Sequence, residues 1–170
     1  MTIFELGALG ELLGSIGVIG TLVYLAIQVR QNNSSLSWTI EQSVSESLAN
    51  MFDSAASGDV AFIYTRAAAG LDTLSEEEIA KFGFFVSSYL KKMEQAYLQY
   101  NRGNLSQESW NAIDLTFLIQ FQSEGVKKFW SLRAPNYQTK FRNYVDSLEG
   151  RESPALGSAD MMKEIRKNTD

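Results

Sequence analysis

The sequence predicts an all-α protein with one N-terminal transmembrane helix followed by a cytoplasmic bundle of about five or six helices. Three observations predict this fold: an uncharged run at residues 12–29, apolar residues at helical spacing through the rest of the chain, and only two prolines, Pro135 and Pro154. Long proline-free segments with few β-branched runs favour helices over strands. We expect a transmembrane helix with its flank at residues 1–31, a helical soluble domain at 32–149 and a flexible tail at 150–170.

The composition excludes several classes of function. The chain contains no cysteine and no histidine, which removes most zinc, copper and iron–sulfur sites together with Ser-His-Asp and Cys-His catalysis. Its formal net charge is −5, whereas nucleic-acid binding depends on clustered Lys and Arg. We therefore expect no nucleic-acid partner, no metal or cofactor and no enzyme activity.

The uncharged run at residues 12–29 lies between Glu11 and Arg30. As a helix it rises roughly 27 Å, close to the ~30 Å hydrocarbon thickness of a bilayer. A signal peptide expects basic residues before its apolar core and a small-residue cleavage site after it, and neither pattern is present. The run is short for a span, so the buried helix of a soluble protein is the main alternative. We expect a retained span with the lipid bilayer as its partner.

The charges that flank the run predict its orientation. No Lys or Arg precedes it, and Arg30 follows it directly. The positive-inside rule then places the N-terminus outside and the C-terminal domain in the cytoplasm of a bacterial inner membrane.

Glycine is unusually frequent in this helix, at residues 7, 10, 14, 17 and 20, with Thr21 next in the chain. Spacings of three and four residues place these positions along one side of a helix. In a bilayer, small residues on one side allow two helices to approach closely, although glycine is also commoner in spans generally. We predict a helix–helix interface, within a homo-oligomer or with a partner membrane protein, formed by Gly10, Gly14, Gly17, Gly20 and Thr21.

The first part of the soluble domain reads as three helices. After a polar stretch at residues 31–37, either a hinge or a continuing helix, apolar residues recur at helical spacing through residues 36–57. A break at residues 57–59 precedes a short helix at 60–69, which ends at Gly70. In LSEEEIAKF, Ser75 and Glu78 form a capping box, with Leu74 and Ile79 as the hydrophobic staple. This third helix is predicted to end near residue 101, before Gly103.

Three more helices complete the predicted bundle. LSQESW repeats the start signal, with Ser106 as the cap and Leu105 and Trp110 as the staple, for a helix that ends near Ser123. A short helix over 125–134 ends before Pro135. A last helix covers about 137–148, and a frayed helical end is predicted at 159–167.

One charge within an aromatic helix is the strongest candidate for chemistry. Glu94 lies in an aromatic helix with Tyr89, Tyr97 and Tyr100. The alternative, which we prefer, is that Glu94 pairs with a base such as Arg66 or Arg142, or lies at the flank of the stripe and reaches water. The aromatic stripe itself is typical of a core.

The acidic residues give two further hypotheses. The residues at 76–78 fit helix capping, and Asp146 with Glu149 lacks the second pair that a carboxylate metal site needs. No basic residue lies between Arg30 and Arg66. In an oligomer, Glu41, Glu46 and Asp53 would then form a candidate acidic vestibule, as in cation pathways. A solvated helix face is the simpler interpretation.

Two stretches resemble a family of uncharacterised bacterial proteins of similar length. They are LGELLGSIGVIGTLVYLAIQVRQN and LSEEEIAKFGFFVSSYLKKMEQAYLQYNRGNLSQESW. The family pattern, an apolar segment that ends in LAIQ-(I/V)-RQN and an all-helical region, matches residues 25–32, 74–77 and 103–110, within a resemblance over 8–148. It implies only a single-span helical architecture and carries over no catalytic residue. From the positions of the glycines, we expect a self-assembling structural or interaction module. A small homo-oligomeric cation channel is the alternative, and an enzyme using Glu94 ranks last.

Overall fold

The structure, a computed structural model, describes residues 3–56, 58–153, 164, 165 and 167. All regular secondary structure in these ranges is helical, which confirms the predicted all-α class. Of the predicted break at 57–59, residues 58 and 59 are non-helical, and Ser57 lies outside the described residues, as does most of the predicted tail, at 154–163, 166 and 168–170. The chain divides into two compact units, Met1–Thr39 and Ile40–Asp170.

The first helix, α1, covers Ile3–Ala56 and contains both the predicted span and the predicted soluble helix at 36–57. The polar stretch at residues 31–37 is therefore a continuing helix and not a hinge. It contains neither Gly nor Pro, the residues that oppose a helix most strongly. Extending a helix through such a stretch gains one hydrogen bond for each residue that is fixed.

Five further α-helices follow in the second unit. They are α2 (Val60–Ala67), α3 (Glu76–Asn101), α4 (Gln107–Phe121), α5 (Glu124–Arg133) and α6 (Thr139–Asp146), with a 3-10 turn at Ala134–Asn136 between α5 and α6. Their bounds lie close to the predicted ones. The long helix α3 packs against α2, α4, α5 and α6 and is the centre of this bundle.

The predicted helix starts are confirmed by their hydrogen bonds. At α3, the Ser75 hydroxyl oxygen accepts from the Glu78 N–H at 3.3 Å, and the Glu78 carboxylate accepts from the Ser75 N–H at 2.8 Å. At α4, the Ser106 hydroxyl accepts from the Ser109 N–H at 3.2 Å. Each cap satisfies a backbone donor that has no partner inside its helix.

The two hydrophobic staples differ in burial. Leu105 and Trp110 are both buried at the start of α4. At the start of α3, Leu74 is 9% exposed and Ile79 is 42% exposed, so this staple pair is less buried than the pair at α4.

The core of the second unit is aromatic. Phe82, Phe117 and Phe141 are fully buried around α3, with Trp110 and Trp130 also buried. Of the predicted apolar stripe on α1, Met51 is buried and Ile40, Val44 and Leu48 are half-buried, but Leu36 and Phe52 are exposed. The stripe is therefore correct in its centre and wrong at its ends.

One glycine is required by this packing. Gly125 lies where α5 approaches α2, and a Cβ atom added to it would stand 2.5 Å from the Ala67 carbonyl oxygen. Any larger residue at this position would push the two helices apart.

Candidate functional site

The apolar segment of α1, residues 12–29, is uncovered along its whole length. Every one of its side chains is exposed, with its large apolar residues ranging from 48% exposed at Leu25 to 68% at Leu13. The described chain has one helix that is long and apolar enough to cross a membrane, and this is that helix. Continuous exposed apolar surface of this kind is rare on soluble monomers.

The few polar side chains in this segment have local partners. The Thr21 hydroxyl donates to the Gly17 carbonyl oxygen at 2.9 Å, and the Ser15 hydroxyl donates to the Leu12 carbonyl oxygen at 2.8 Å. Gln28 Nε2 donates to the Tyr24 hydroxyl oxygen at 2.9 Å. These bonds matter in hydrocarbon, where a polar group without a partner costs several kcal/mol.

The predicted interface residues lie close together on the surface of α1. At about 100° per residue, Gly7, Gly10, Gly14, Gly17 and Thr21 fall within an arc of about 80°, and we call these five residues the glycine face. Gly20 lies about 60° beyond the edge of this arc. A Cβ atom added to any of the four glycines of this face would meet nothing within 4 Å.

Glycine in a helix interior destabilises it by roughly 0.5–1 kcal/mol relative to alanine. Crowding explains that cost at Gly125, but packing within the described chain does not explain it on the glycine face. The open glycines are therefore available for close approach by another helix.

Sequence reasoning missed two residues of this surface, Tyr24 and Gln28. Positions 7, 10, 14, 17, 21, 24 and 28 are spaced alternately by three and four residues, which is the heptad spacing of left-handed helix pairs. The hydrogen-bonded Tyr24–Gln28 pair thus continues the glycine face toward Arg30. The alternating spacing was the available signal for these two residues.

The residues of the predicted acidic vestibule lie in two different environments. Glu46 and Asp53 are exposed and lie only about 20° apart around α1. The Glu46 carboxylate accepts from Gln42 Nε2 at 2.8 Å. Glu41 lies about 120–140° away from both.

The Glu41 carboxylate accepts hydrogen bonds from residues at the start of α4. It accepts from the Ser106 N–H at 2.7 Å and from the Ser109 hydroxyl at 3.1 Å. The bond from the Ser106 backbone lowers the pKa of Glu41 below its ordinary value. The geometry therefore gives Glu41 a structural task within the bundle and groups only Glu46 with Asp53.

Glu94 is buried, at 2% exposed, and it joins α3 to the start of α6. Its carboxylate pairs with Lys91 Nζ at 2.8 Å and accepts from the Gln138 N–H at 2.7 Å. Lys91 also lies over the Tyr137 ring, with Nζ 4.3 Å from the ring centroid. Of the expected alternatives, the structure shows Glu94 as a buried carboxylate with an ion-pair partner.

The partners predicted for Glu94 are wrong. Arg66 instead pairs with Glu78 at 2.6 Å, and the Arg142 guanidinium donates to the Thr139 hydroxyl at 3.0 Å. Lys91 is the partner because it lies one turn before Glu94 on the same side of α3. Two of the helix's tyrosines stack in the core, Tyr97 on Tyr144 and Tyr100 on Trp110.

The other acidic clusters also have partners within the bundle. Beside Glu78 in its cap, Glu77 pairs with Lys81 at 3.0 Å, and Asp146 accepts from Trp130 Nε1 at 3.1 Å. Within the part of the chain that the structure describes, no group of three or more acidic residues has the arrangement of a metal site.

Compared with known proteins, the chain matches no family model, no curated protein and no solved structure. The uncovered helix with its glycine face is the feature that packing within the bundle does not explain.

Proposed function

We propose that this chain is a single-pass protein of the bacterial inner membrane that assembles with copies of itself through the glycine face of α1. Its N-terminus lies outside and its C-terminal domain lies in the cytoplasm. It acts as a structural or interaction module and not as an enzyme. The observation that carries the proposal is an uncovered apolar helix whose polar side chains are all hydrogen-bonded locally and whose glycines face open space.

The membrane location is supported by the match between the segment and a bilayer. A helix over residues 12–29 rises roughly 27 Å, and a tilt or a slight thinning of the ~30 Å hydrocarbon accommodates the difference. Each exposed Leu, Ile or Val side chain gains about 1.5–3 kcal/mol when it leaves water. Arg30 snorkels its charge to the headgroups at one end, and Glu11 reaches the opposite interface.

Self-association is supported by the character of the glycine face. Lipid is as apolar as leucine, so helices in a bilayer associate through close packing and hydrogen bonds rather than through the hydrophobic effect. Glycine permits close packing, and Tyr24 with Gln28 offers hydrogen bonds on the same surface. The alternating spacing of three and four favours a left-handed pair that crosses at about 20°.

We also place the chain with the single-span bacterial family that its apolar segment and its two helix starts resemble. The capping residues at 74–78 and 105–110 that carry the resemblance are structural. They support the architecture and assign no activity.

The experiment compares two matched substitutions in the full chain extracted with mild detergent. Gly17→Leu places a bulky side chain on the glycine face, and Ala26→Leu adds a leucine about 180° away around the same helix. The particle mass is measured by light scattering after size-exclusion chromatography. We expect a defined oligomer for the unchanged chain and for Ala26→Leu, and a monomer for Gly17→Leu.

Two results would contradict the proposal. A monomeric unchanged chain, or equal dissociation by both variants, would remove the glycine face as the interface. Recovery of the protein from cells without detergent would remove the membrane location. Because the chain has no cysteine, Ile3→Cys and Ser45→Cys can test the orientation separately. Only Ile3→Cys should react with an impermeant maleimide on intact spheroplasts.

The cation channel is the alternative, and the shared face of Glu46 and Asp53 is the observation in its favour. It predicts ion flux in liposomes that Gly17→Leu abolishes and Glu46→Gln makes less cation-selective. Under our proposal the oligomer is silent in the same assay.

A further inference from the structure

The second unit has an uncovered apolar surface of its own, a groove of about 390 Å³ between α3 and α5. Of the large side chains that line it, Phe84 is 80% exposed, Leu132 is 69% exposed and Ile79 is 42% exposed. Leu71 and Phe129 are half-buried at its floor. We call this surface the α3–α5 groove. Exposed apolar surface that forms one continuous patch is typical of an interaction site.

The side of α3 that lines the groove combines a projection with a hollow. Ala80 and Phe84 are four residues apart, as are Gly83 and Ser87, so all four lie on one side of the helix. Phe84 projects into solvent, whereas its three neighbours have small side chains or none. A projection beside a hollow on one surface is self-complementary, which is what a contact between two copies about a twofold axis requires.

The two helices that form the groove run side by side in the same direction. A Cβ atom added to Gly83 would stand 3.5 Å from the Phe129 ring. Further along both helices, Lys91 Nζ donates to the Asn136 carbonyl oxygen at 3.1 Å. Arg133, which also lines the groove, comes between Phe129 and Asn136 in the chain. It therefore lies at the end of the groove that is further along α3.

The two ends of the groove carry opposite charges. Arg133 is the only charged side chain among the described residues that line the groove. Glu76 is exposed at the other end, one turn before Ile79 and Ala80 on the same side of α3. None of the ion pairs between described residues includes Glu76 or Arg133. A twofold axis through the middle of the groove exchanges its ends and brings each acidic end to a basic one.

We propose that the α3–α5 groove of one copy packs against the same groove of a second copy about such an axis. Phe84 of each copy enters the groove of the other copy, and Glu76 of each copy pairs with Arg133 of the other. A second copy is the occupant that the surface itself specifies, because the same patch supplies the projection, the hollow and both charges. This contact lies between second units and is separate from the glycine face.

The strength of the contact depends on the oligomer, and this step rests on the proposed function. A patch of this kind belongs with the small interfaces that bury less than about 1,200 Å² and that are weak. Copies held together by the glycine face meet at an effective concentration of about 1 mM, as linked modules do. The groove contact therefore forms within the oligomer and is lost on dilution of separate chains.

The test joins the two ends of the groove between copies of the full chain in mild detergent. Because the chain has no cysteine, Glu76→Cys and Arg133→Cys together introduce the only thiols. Within one chain these positions lie at opposite ends of the groove, so a short bismaleimide should link them only between copies. Covalent dimer is measured by denaturing electrophoresis. An ion pair at the rim of an interface affects orientation more than affinity, so the contact should survive both substitutions.

Two kinds of control accompany this pair. They are each single variant, and Glu76→Cys combined with Ser131→Cys, since Ser131 lies about 160° from Arg133 around α5. At high protein concentration, the 76/133 pair should give at least about fivefold more covalent dimer than any control, because the twofold axis brings only these two positions together.

Phe84→Ala in the chain with the 76/133 pair tests the packing. It should reduce the covalent dimer by about tenfold, as removal of a central aromatic anchor does. The matched control is Phe62→Ala, because Phe62 is 77% exposed on α2 and does not line the groove. It should change the yield by less than about twofold. Both side chains are exposed, so neither substitution should unfold the bundle.

Two outcomes would overturn the proposal. If the 76/133 pair gave no more dimer than its controls, a different occupant, such as an amphipathic helix of another protein, would cover the groove. If Phe84→Ala and Phe62→Ala reduced the yield equally, the groove would not be the contact.

Gly17→Leu separates this proposal from the proposed function. With Gly17→Leu added, the 76/133 pair should still cross-link at high concentration, but its yield should fall on dilution. With Gly17 retained, the yield should stay constant. An equal fall in both chains would contradict assembly through the glycine face and leave the groove contact in place.

Discussion

The two units of the chain use the same residue types in opposite ways. In the second unit, large apolar side chains such as Phe117 are fully buried, and Gly125 is crowded by the Ala67 backbone. In the apolar segment of α1, large side chains such as Ile16 are exposed, and Gly14 has nothing within 4 Å of an added Cβ. The bundle packs its apolar residues and Gly125 within one chain, whereas nothing in the described chain covers the apolar segment.

Substitution of large apolar residues should give the largest difference in stability between the two units. Phe117→Ala should lower the free energy of unfolding of the second unit by about 3–5 kcal/mol, because it leaves a cavity in the core. Ile16→Ala should change it by less than ~0.5 kcal/mol. Urea unfolding of the full chain, followed by fluorescence of the buried Trp110 and Trp130, measures both. A large loss for Ile16→Ala would mean that the apolar segment belongs to the folded core of a soluble protein.

Glycine gives the next largest contrast. Gly125→Ala should cost roughly 1–3 kcal/mol in the same unfolding measurement, because its Cβ would overlap the Ala67 carbonyl oxygen. Gly14→Ala meets open space within its own chain and should leave the unfolding of the bundle unchanged. If Gly14→Ala destabilised the bundle as much as Gly125→Ala, the claim that the glycine face is left for another helix would fail.

Features that depend on residues close together in the sequence were predicted correctly, whereas features that depend on distant residues were not. The cap of α3 was predictable because Ser75 and Glu78 are three residues apart and interact through a local pattern. The two helix starts and the uncharged run were visible for the same reason. The exposure of the residues at the ends of the α1 stripe was not predictable, because the exposure of Phe52 depends on what the rest of the bundle covers.

The candidate sites depended on long-range contacts and were harder to predict. Glu41 meets Ser106, which is 65 residues further along the chain, and Glu94 meets Gln138 across 44 residues. No local sequence pattern predicts contacts between residues so far apart in the chain.

Lowering the pH should have the smallest effect on stability. It should affect only the unit whose structure depends on charged groups. The Ser106 backbone lowers the pKa of Glu41 below its ordinary value of 4.5, and the Ser75 backbone does the same for Glu78. Burial raises the pKa of Asp114, but Arg151 and the Tyr144 hydroxyl together lower it further than burial raises it. Since these folded-state values are lower than the unfolded ones, the unfolded chain binds protons first. The stability of the bundle should therefore be fully present at pH 7 and fall progressively below about pH 4.5.

The apolar segment should not share this dependence. None of the five residues of the glycine face carries a carboxylate, amine or guanidinium, so the proposed helix–helix contact does not depend on a charge on that face. The urea midpoint of the bundle and the oligomer mass in detergent, measured over this range, should diverge: the midpoint falls and the mass stays constant. If the oligomer dissociated in step with the loss of bundle stability, the interface between copies would be formed by the second unit and not by the glycine face.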